Sequence, residues 1–259
     1  MEMLKLVHIE ARDLPDAWFQ CLYKILEPGM ARKRKITQGS YEGEYRLEFD
    51  YVTGHVLYPG TRPLIPDIPP QYGIPAPCDM DYVEEYFARY LMSSIKEPGE
   101  EYTYGERITA APTQVISHIN REQTFFNSEI EIPPAINQIE EIIRRYKEYG
   151  FGTNQLILQI VQPADIMLKD PPCLRHIDTR IEEGKLHFTI YFRSWDLWGG
   201  FPANLAGIQL LKEYMASEIG VDDGEIIFAS KGLHLYGYTW EIAGRRRGLS
   251  EEEIKLLKR

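Results

Sequence analysis

Apolar residues recur at helical spacing in three long segments of the chain, which predicts helices at 17–26, 135–149 and 204–219. Shorter helices are predicted at 81–93 and within 249–259, where the same spacing occurs. The Glu-Pro-Gly sequence that follows residue 26 is expected to end the first helix, because proline interrupts helical hydrogen bonding.

Alternation of apolar and polar residues, which is typical of strands, occupies several segments between these helices. The predicted strands lie within 41–58, 156–161, 174–181, 185–193 and 225–228. A short turn at Glu183-Gly184 joins the third and fourth of them, which predicts an antiparallel hairpin. Helices and strands follow each other without a strict βαβ order, and no GxGxxG or P-loop motif is present, so a Rossmann or P-loop fold is disfavoured.

Length and composition favour one globular domain. The chain has 259 residues, 44% of them hydrophobic, which is enough to bury a full core. Residues 59–79 contain seven prolines and are predicted to form an extended, ordered loop. The predicted elements on either side of this loop lack cores of their own size. We therefore predict a single domain, residues 1–259.

Charge and cysteine content disfavour several functional classes. The net charge of −10 disfavours broad nucleic-acid binding, so an anionic ligand would need a local basic pocket. The basic run 32–35 is either such a cluster or a solvated loop. No apolar stretch is long enough for a membrane span, and the N-terminus lacks a secretory pattern, so a cytoplasmic location is expected. Three cysteines without CxxC spacing argue against disulfides and against a metal site.

Among the cysteines, Cys173 has the most chemically capable neighbours. It follows two prolines, which fix the backbone before a predicted strand. In the predicted hairpin, Arg193 would lie level with Cys173, where a guanidinium lowers the thiol pKa and favours the nucleophilic thiolate. The alternative is a small buried cysteine, and that is the interpretation of Cys21 and Cys78.

The segment that follows Arg193 offers groups with both a binding and a structural interpretation. Arg193 and Ser194 suit a phosphate, but they could equally form a surface ion pair and a helix cap. Asp196 could cap the next turn. Gly199 and Gly200 allow a tight turn or the close approach of a ligand.

Three more residues further along the chain could form hydrogen bonds with a nucleoside. The amide of Asn204 offers a donor and an acceptor that match O4 and N3–H of uracil, although it could simply cap the helix at 204–219. His234 and Tyr236 alternate on a predicted strand and could hold a sugar hydroxyl. A lone histidine in such a place is more often a buried structural residue.

These residues carry a resemblance to a known family. The motifs are Pro-Pro-Cys173, Arg193-Ser194-x-Asp196, Gly200-x-Pro202-x-Asn204 and His234-x-Tyr236. In order and spacing these motifs resemble the thymidylate synthase signature. The amino-acid sequence of residues 192–204 resembles that of the methanogen-type archaeal branch of the family. Weaker similarity lies upstream at Tyr104-Gly105 and Glu84-Glu85. The resemblance implies an α+β, layered α/β fold with a large mixed β-sheet covered by helices, and a homodimer.

The resemblance also implies a reaction, the reductive methylation of dUMP to dTMP. Cys173 would add to C6 of the pyrimidine, so that C5 can attack a one-carbon unit carried on a reduced pterin. Arg193 and Ser194 would bind the 5′-phosphate, and Asn204 would hold the uracil edge. Glu85, or its neighbour Glu84, would relay protons near O4.

The same resemblance assigns the sugar and pterin contacts. His234 and Tyr236 would bond the deoxyribose 3′-hydroxyl, while Asp196 and Gly200 would lie against the pterin. The carrier would be 5,10-methylene-tetrahydrofolate or an archaeal analogue of the tetrahydromethanopterin type. The chain ends soon after Tyr236 without the family's long final segment, which makes the pterin side the least similar part.

A further departure lies at Thr153-Asn154, where the family has two arginines that reach the partner subunit's phosphate. Either Arg107, Arg175 or the cluster 32–35 compensates, or phosphate binding is weaker. Two alternative functions stay open. One is a pyrimidine-nucleotide 5-hydroxymethylase, in which water meets the exocyclic methylene, and the other is a non-catalytic nucleotide-binding homologue.

Overall fold

The computed structural model describes residues 3–112 and 135–258. The elements in chain order are β1 (Leu6–Ala11), α1 (Leu14–Ile25), β2 (Arg32–Lys35), β3 (Tyr45–Glu48), β4 (Tyr51–Val56), α2 (Met80–Glu85) with a π-helical extension (Tyr86–Leu91), α3 (Tyr104–Thr109), β5 (Ala111–Pro112), β6 (Ala135–Ile136), α4 (Gln138–Tyr149), β7 (Ile157–Gln159), β8 (Leu174–Glu182), β9 (Lys185–Phe192), β10 (Trp195–Asp196), α5 (Gly200–Ile219), β11 (Asp222–Ser230), β12 (Leu233–Tyr236), α6 (Trp240–Arg247) and α7 (Glu251–Lys258).

A six-stranded sheet with both parallel and antiparallel pairs forms the centre of the fold. Its strand order is β1-β4-β11-β9-β8-β7. The pairs β1–β4 and β9–β11 are parallel, and the other three are antiparallel. Helix α5 packs on this sheet, and α1, α2 and α4 contact α5 in turn. This arrangement confirms the predicted α+β fold with a large mixed sheet covered by helices.

The predicted hairpin is present, and its turn explains its register. Glu183 and Gly184 both have positive φ, 49° and 71°, which a two-residue hairpin turn requires at both positions. The pairing then runs from Glu182 opposite Lys185 to Leu174 opposite Phe192. One step further, the Arg193 N–H donates to the Cys173 carbonyl at 2.9 Å. The hairpin therefore sets Arg193 level with Cys173, as predicted.

Helix α5 begins one turn earlier than predicted. Pro202 suits the first turn of a helix, where its missing N–H has no partner to lose. The Asp196 carboxylate accepts the N–H groups of Gly199 and Gly200 at 3.1 and 3.2 Å, so it satisfies the free donors at this end. Since the helix starts at Gly200, the N-cap interpretation of Asn204 is wrong.

The basic run 32–35 forms strand β2, so its interpretation as a loop is wrong. It belongs to a second sheet, ordered β10-β12-β3-β2. Arg32 and Arg34 both pair with the buried carboxylate of Asp50, at 2.8 and 2.7 Å. These ion pairs already occupy two of the four cations in the run.

The segment predicted as one helix at 81–93 changes its winding. Helix α2 is followed directly by the π-helical segment, in which the Met92 N–H donates to the Phe87 carbonyl at 3.0 Å. A π turn of this kind redirects the side chains that follow and is common at functional sites.

None of the helices within 3–112 and 135–258 has the length and apolar character of a membrane span. The extent of the predicted single domain stays a prediction.

Candidate active site

Burial and the nearby positive charges have opposite effects on the pKa of the Cys173 thiol. Burial raises its pKa above the ordinary value, and the Asp170 carboxylate adds to this effect. The guanidinium groups of Arg193, Arg175 and Arg46 lower it. Arg193 therefore acts in the predicted direction, but burial has the larger effect and holds the thiol pKa above its ordinary value.

The guanidinium of Arg193 is held by the loop that precedes Cys173. It donates to the Asp170 carboxylate at 2.9 Å and, through Nε, to the Pro171 carbonyl at 3.2 Å. Asp170 is 52% exposed and also accepts from the Ser40 hydroxyl at 3.2 Å. Arg193 therefore positions the Pro-Pro-Cys segment, and its other partner is the exposed carboxylate of Asp170. Ser194 follows it in the chain and is half-buried.

A cavity of about 400 Å³ adjoins this ion pair. Three cations line it, Lys169, Arg175 and Arg193, together with Asp170. Among the other predicted candidates, Arg107 forms a largely buried ion pair with Asp165 at 2.9 Å, and Arg32 and Arg34 pair with Asp50. Arg175 is therefore the best placed of the predicted compensating arginines.

The amide of Asn204 has a defined orientation. The indole N–H of Trp195 is only a donor, and it contacts Oδ1 of Asn204 at 2.9 Å. This contact assigns the oxygen to the Trp195 side, so the amide nitrogen is the donor that lowers the pKa of Tyr86. Oδ1 keeps a second lone pair, so the amide can still present one donor and one acceptor to a ligand.

Tyr86 adds a phenol to this group. Its ring lies against Gly207 of α5, where a Cβ atom would come within 2.5 Å of the ring carbon Cδ1. Its hydroxyl is buried and, among the described residues, has no well-aligned hydrogen-bond partner. Burial raises the Tyr86 pKa well above its ordinary value, Asn204 lowers it, and Cys173 raises it. Tyr86 is therefore close to both the amide and the thiol.

His234 is buried and neutral. Its Nδ1 lies 2.7 Å from the Gly232 carbonyl, which can only accept, so Nδ1 carries the proton. Burial lowers the pKa of His234 to about 3, and the charges of Arg46 and Arg193 act in the same direction. The other nitrogen, Nε2, is a buried acceptor without a partner in the described part of the chain. As predicted, His234 and Tyr236 lie together, with ring centroids 4.5 Å apart.

Asp196 has the structural role that the sequence offered as an alternative, since it caps α5. Its oxygens accept from the backbone of Trp198, Gly199 and Gly200. A Cβ on Gly200 would lie 3.3 Å from Cβ of Asp196, so the glycine permits this close approach. Asp196 also raises the pKa of Tyr236, which burial raises to about 12. The capping carboxylate therefore lies near Tyr236, the last residue of β12, and near Tyr238.

Glu84 and Glu85 are more exposed than Tyr86 and Asn204, although Glu85 lines a cavity together with Tyr86. Both are exposed; the carboxylate of Glu85 is 60% exposed and lies 3.4 Å from Arg89 on the same helix. In residues 3–112 and 135–258, no hydrogen bond joins either carboxylate to Cys173 or Asn204. The predicted proton relay at Glu85 stays a prediction.

The comparison with known proteins agrees with the motif arrangement. The sequence profile of the thymidylate synthase family matches residues 97–254. The chain belongs to the thymidylate synthase family. A protein of Methanosarcina acetivorans, provisionally named thymidylate synthase, is 29% identical over 234 residues, which are 90% of this chain and 91% of that protein.

More distant family members cover less or share less of the chain. A provisionally named thymidylate synthase of Methanococcoides burtonii is 26% identical over 233 residues, 90% of this chain and 91% of that protein. The thymidylate synthase of Listeria innocua is 26% identical over 172 residues, 60% of this chain and 53% of that protein. The relatives in methanogens confirm the predicted methanogen-type branch.

Arg46 and Tyr86 were not found from the sequence. Arg46 lies opposite Tyr236 in the β3–β12 pair, and its charge lowers the pKa values of Cys173 and His234. A signal existed for each residue. Arg46 and Glu48 share one face of a strand, and Tyr82, Tyr86 and Tyr90 recur every four residues on a predicted helix.

Proposed function

We propose that this member of the thymidylate synthase family methylates dUMP at C5, with Cys173 as the nucleophile. Two buried atoms carry the proposal, the Tyr86 hydroxyl close to the thiol and Nε2 of His234, since neither has a well-aligned hydrogen-bond partner among the described residues. Leaving a buried polar group unpaired costs about 1–3 kcal/mol. Such groups at one site are expected to meet their partners on a ligand.

The thiolate of Cys173 adds to C6 of the pyrimidine in this proposal. The S–C6 bond forms, and the electron pair of the C5=C6 bond moves toward C5 and O4, which makes C5 a nucleophile. The addition requires loss of the thiol proton, which burial opposes. The charges of Arg193 and Arg175 favour the thiolate, and the charge of Asp170 opposes them.

The 5′-phosphate binds in the cavity lined by Lys169, Arg175 and Arg193, beside Ser194. Its charge replaces the Asp170 carboxylate as the partner of Arg193. A dianion makes more charge-assisted hydrogen bonds than one half-exposed carboxylate, so the exchange is favourable. This pocket supplies, within one subunit, part of what the arginine pair supplies elsewhere in the family.

The uracil ring faces Asn204 in this arrangement. The amide nitrogen donates to O4, and the free lone pair of Oδ1 accepts from N3–H. Nε2 of His234 accepts from the 3′-hydroxyl of deoxyribose, with the Tyr236 hydroxyl beside it. A cytosine would present a donor where O4 is an acceptor, so the Trp195 contact that orients Asn204 favours uracil.

The groups near Asp196 fit a reduced pterin as the one-carbon carrier. The rings of Tyr236 and Tyr238 are stacked with centroids 5.8 Å apart, and Tyr238 is 64% exposed. A flat aminopyrimidine ring can stack on such a face while a carboxylate accepts from its N–H groups. The pterin, of folate or tetrahydromethanopterin type, supplies the one-carbon unit and reducing equivalents, while Asp196, with Gly200 beside it, orients the ring.

We also propose a homodimer. The face of the six-stranded sheet opposite α5 leaves Ile227 of the central strand β11 45% exposed. A second copy would cover this apolar position. Sedimentation at several protein concentrations tests the proposal, and a monomer at all of them contradicts it.

Tritium release from 5-³H-dUMP tests the reaction. The protein is supplied with methylene-tetrahydrofolate or methylene-tetrahydromethanopterin, and the product mass is measured. Release together with dTMP supports the proposal. Release with hydroxymethyl-dUMP identifies a hydroxymethylase, and no release with either carrier, despite dUMP binding, identifies a non-catalytic homologue.

A further inference from the structure

A close contact between the π-helical segment after α2 and helix α5 fixes the position of the Tyr86 phenol. Its ring lies on Gly207, where even a methyl group would collide with it. Gly207 and Asn204 are three residues apart, so they share one face of α5. The contact at Gly207 therefore brings the hydroxyl end of the ring beside the Asn204 amide. Among the described residues, this buried hydroxyl has no well-aligned hydrogen-bond partner.

We propose that Tyr86 donates a hydrogen bond to the 4-oxygen of the pyrimidine and stabilises the charge that forms there when Cys173 adds to C6. The inference rests on the proposed function. In this step the S–C6 bond forms and the C5=C6 electron pair spreads over C5, C4 and O4. The negative charge of the thiolate moves into this enolate, and Tyr86 keeps its proton while donating to O4.

The surroundings of Tyr86 suit a donor that stays neutral. Burial disfavours the phenolate, so the O–H group is present throughout the working pH range. Glu85, the predicted relay, is instead exposed and directed to Arg89. A donor that is fixed in place before the charge develops needs no reorganisation during the reaction.

A comparison of two substrates separates this role from a structural one. Rates of C5 tritium release are measured for the wild type and Tyr86→Phe, with dUMP and with 4-thio-dUMP, whose sulfur is a weak hydrogen-bond acceptor. We expect Tyr86→Phe to lower the maximal rate with dUMP about 100-fold, with little change in dUMP affinity. With 4-thio-dUMP the loss is expected to be less than about tenfold, because the hydrogen bond is already weak.

A control variant and a stability measurement complete the test. Tyr82→Phe, an exposed tyrosine one turn earlier on the same helix, is expected to keep the wild-type rate. The melting temperature of Tyr86→Phe should not fall, because the lost hydroxyl had no well-aligned partner and the ring remains on Gly207.

Two outcomes overturn the inference. They are an unchanged rate in Tyr86→Phe with dUMP and an equal loss with both substrates. In each case the wild type still releases tritium, so the proposed function survives. A wild type that releases none with any pterin contradicts the proposed function itself.

Discussion

The two ends of the candidate active site are prepared for a ligand in opposite ways. At the base and sugar end, the Tyr86 hydroxyl and Nε2 of His234 are buried without a partner among the described residues. At the phosphate end, Arg193 is already paired with Asp170 and with the loop before Cys173.

The difference follows from the cost of leaving each kind of group unpaired. A neutral hydroxyl or imidazole nitrogen without a partner costs about 1–3 kcal/mol, which a folded protein can tolerate at a few places. A desolvated guanidinium costs far more, so the fold provides an internal carboxylate for it. Ligand binding therefore adds contacts at one end and exchanges partners at the other.

The largest effect on the reaction rate is expected from replacing Cys173, the proposed reactive thiol, rather than another cysteine. Cys173→Ala should lower C5 tritium release by at least about 1,000-fold, since no other group can add to C6, while dUMP still binds. Cys78→Ala is the matched control, because burial raises the pKa of Cys78 to about 12 and it lies away from the arginines. A comparable loss in Cys78→Ala would mean that the wrong thiol was chosen.

Arg193→Ala removes the guanidinium group at the proposed phosphate end of the site. Loss of charge-assisted hydrogen bonds worth about 1.5–3 kcal/mol should weaken dUMP binding roughly 10- to 150-fold. Because the Arg193 charge lowers the Cys173 pKa, its removal should also move the alkylation rate of the thiol to higher pH. Titration calorimetry and the pH profile of alkylation measure the two effects. An unchanged alkylation profile would show that the two side chains are not coupled.

Asn204→Asp tests the base end. The carboxyl can accept from the 4-amino group of cytosine, and when protonated it can donate to N3. The ratio of dCMP to dUMP exchange rates is expected to rise at least about tenfold, or ~1.4 kcal/mol of differential transition-state binding. If the ratio stays constant in competition assays, Asn204 does not contact the base.

Asp170→Asn removes the carboxylate that competes with the substrate phosphate for Arg193, so the two ends of the site should differ less in how they are paired. The carboxylate is half-exposed, so its ion pair with Arg193 contributes no more than about 1 kcal/mol, and dUMP binding should tighten by up to about fivefold. Asp170 raises the Cys173 pKa, so thiol alkylation should shift to lower pH, opposite to Arg193→Ala. A shift in the same direction as Arg193→Ala would contradict the proposed exchange.

Much of the fold was predictable because its signals are local. The turn at Glu183-Gly184 and the alternation on either side of it determined the β8–β9 hairpin, and with it the level of Arg193 relative to Cys173. The long apolar helix was also found, although its start was placed at 204. The true start depends on the capping carboxylate of Asp196, which lies outside the helical pattern.

What the sequence could not supply depends on contacts between distant segments. The charge on a buried thiol depends on how far burial outweighs nearby arginines, and Arg46 reaches Cys173 only through the pairing of β3 with β12. Strand β2 looked like a basic loop because its partner, Asp50, becomes a neighbour only in the folded sheet.

By itself, the sequence determined the order and spacing of the reactive residues, because those are properties of the chain and of short hairpins and helices. Only the tertiary structure decided which polar atoms are left without a partner. Tyr86 lies beside Asn204 because Gly207 lets two helices approach closely, and His234 is neutral because it is buried near two guanidinium groups. Such effects depend on distance and solvent exclusion in three dimensions, which the local pattern of residues does not encode.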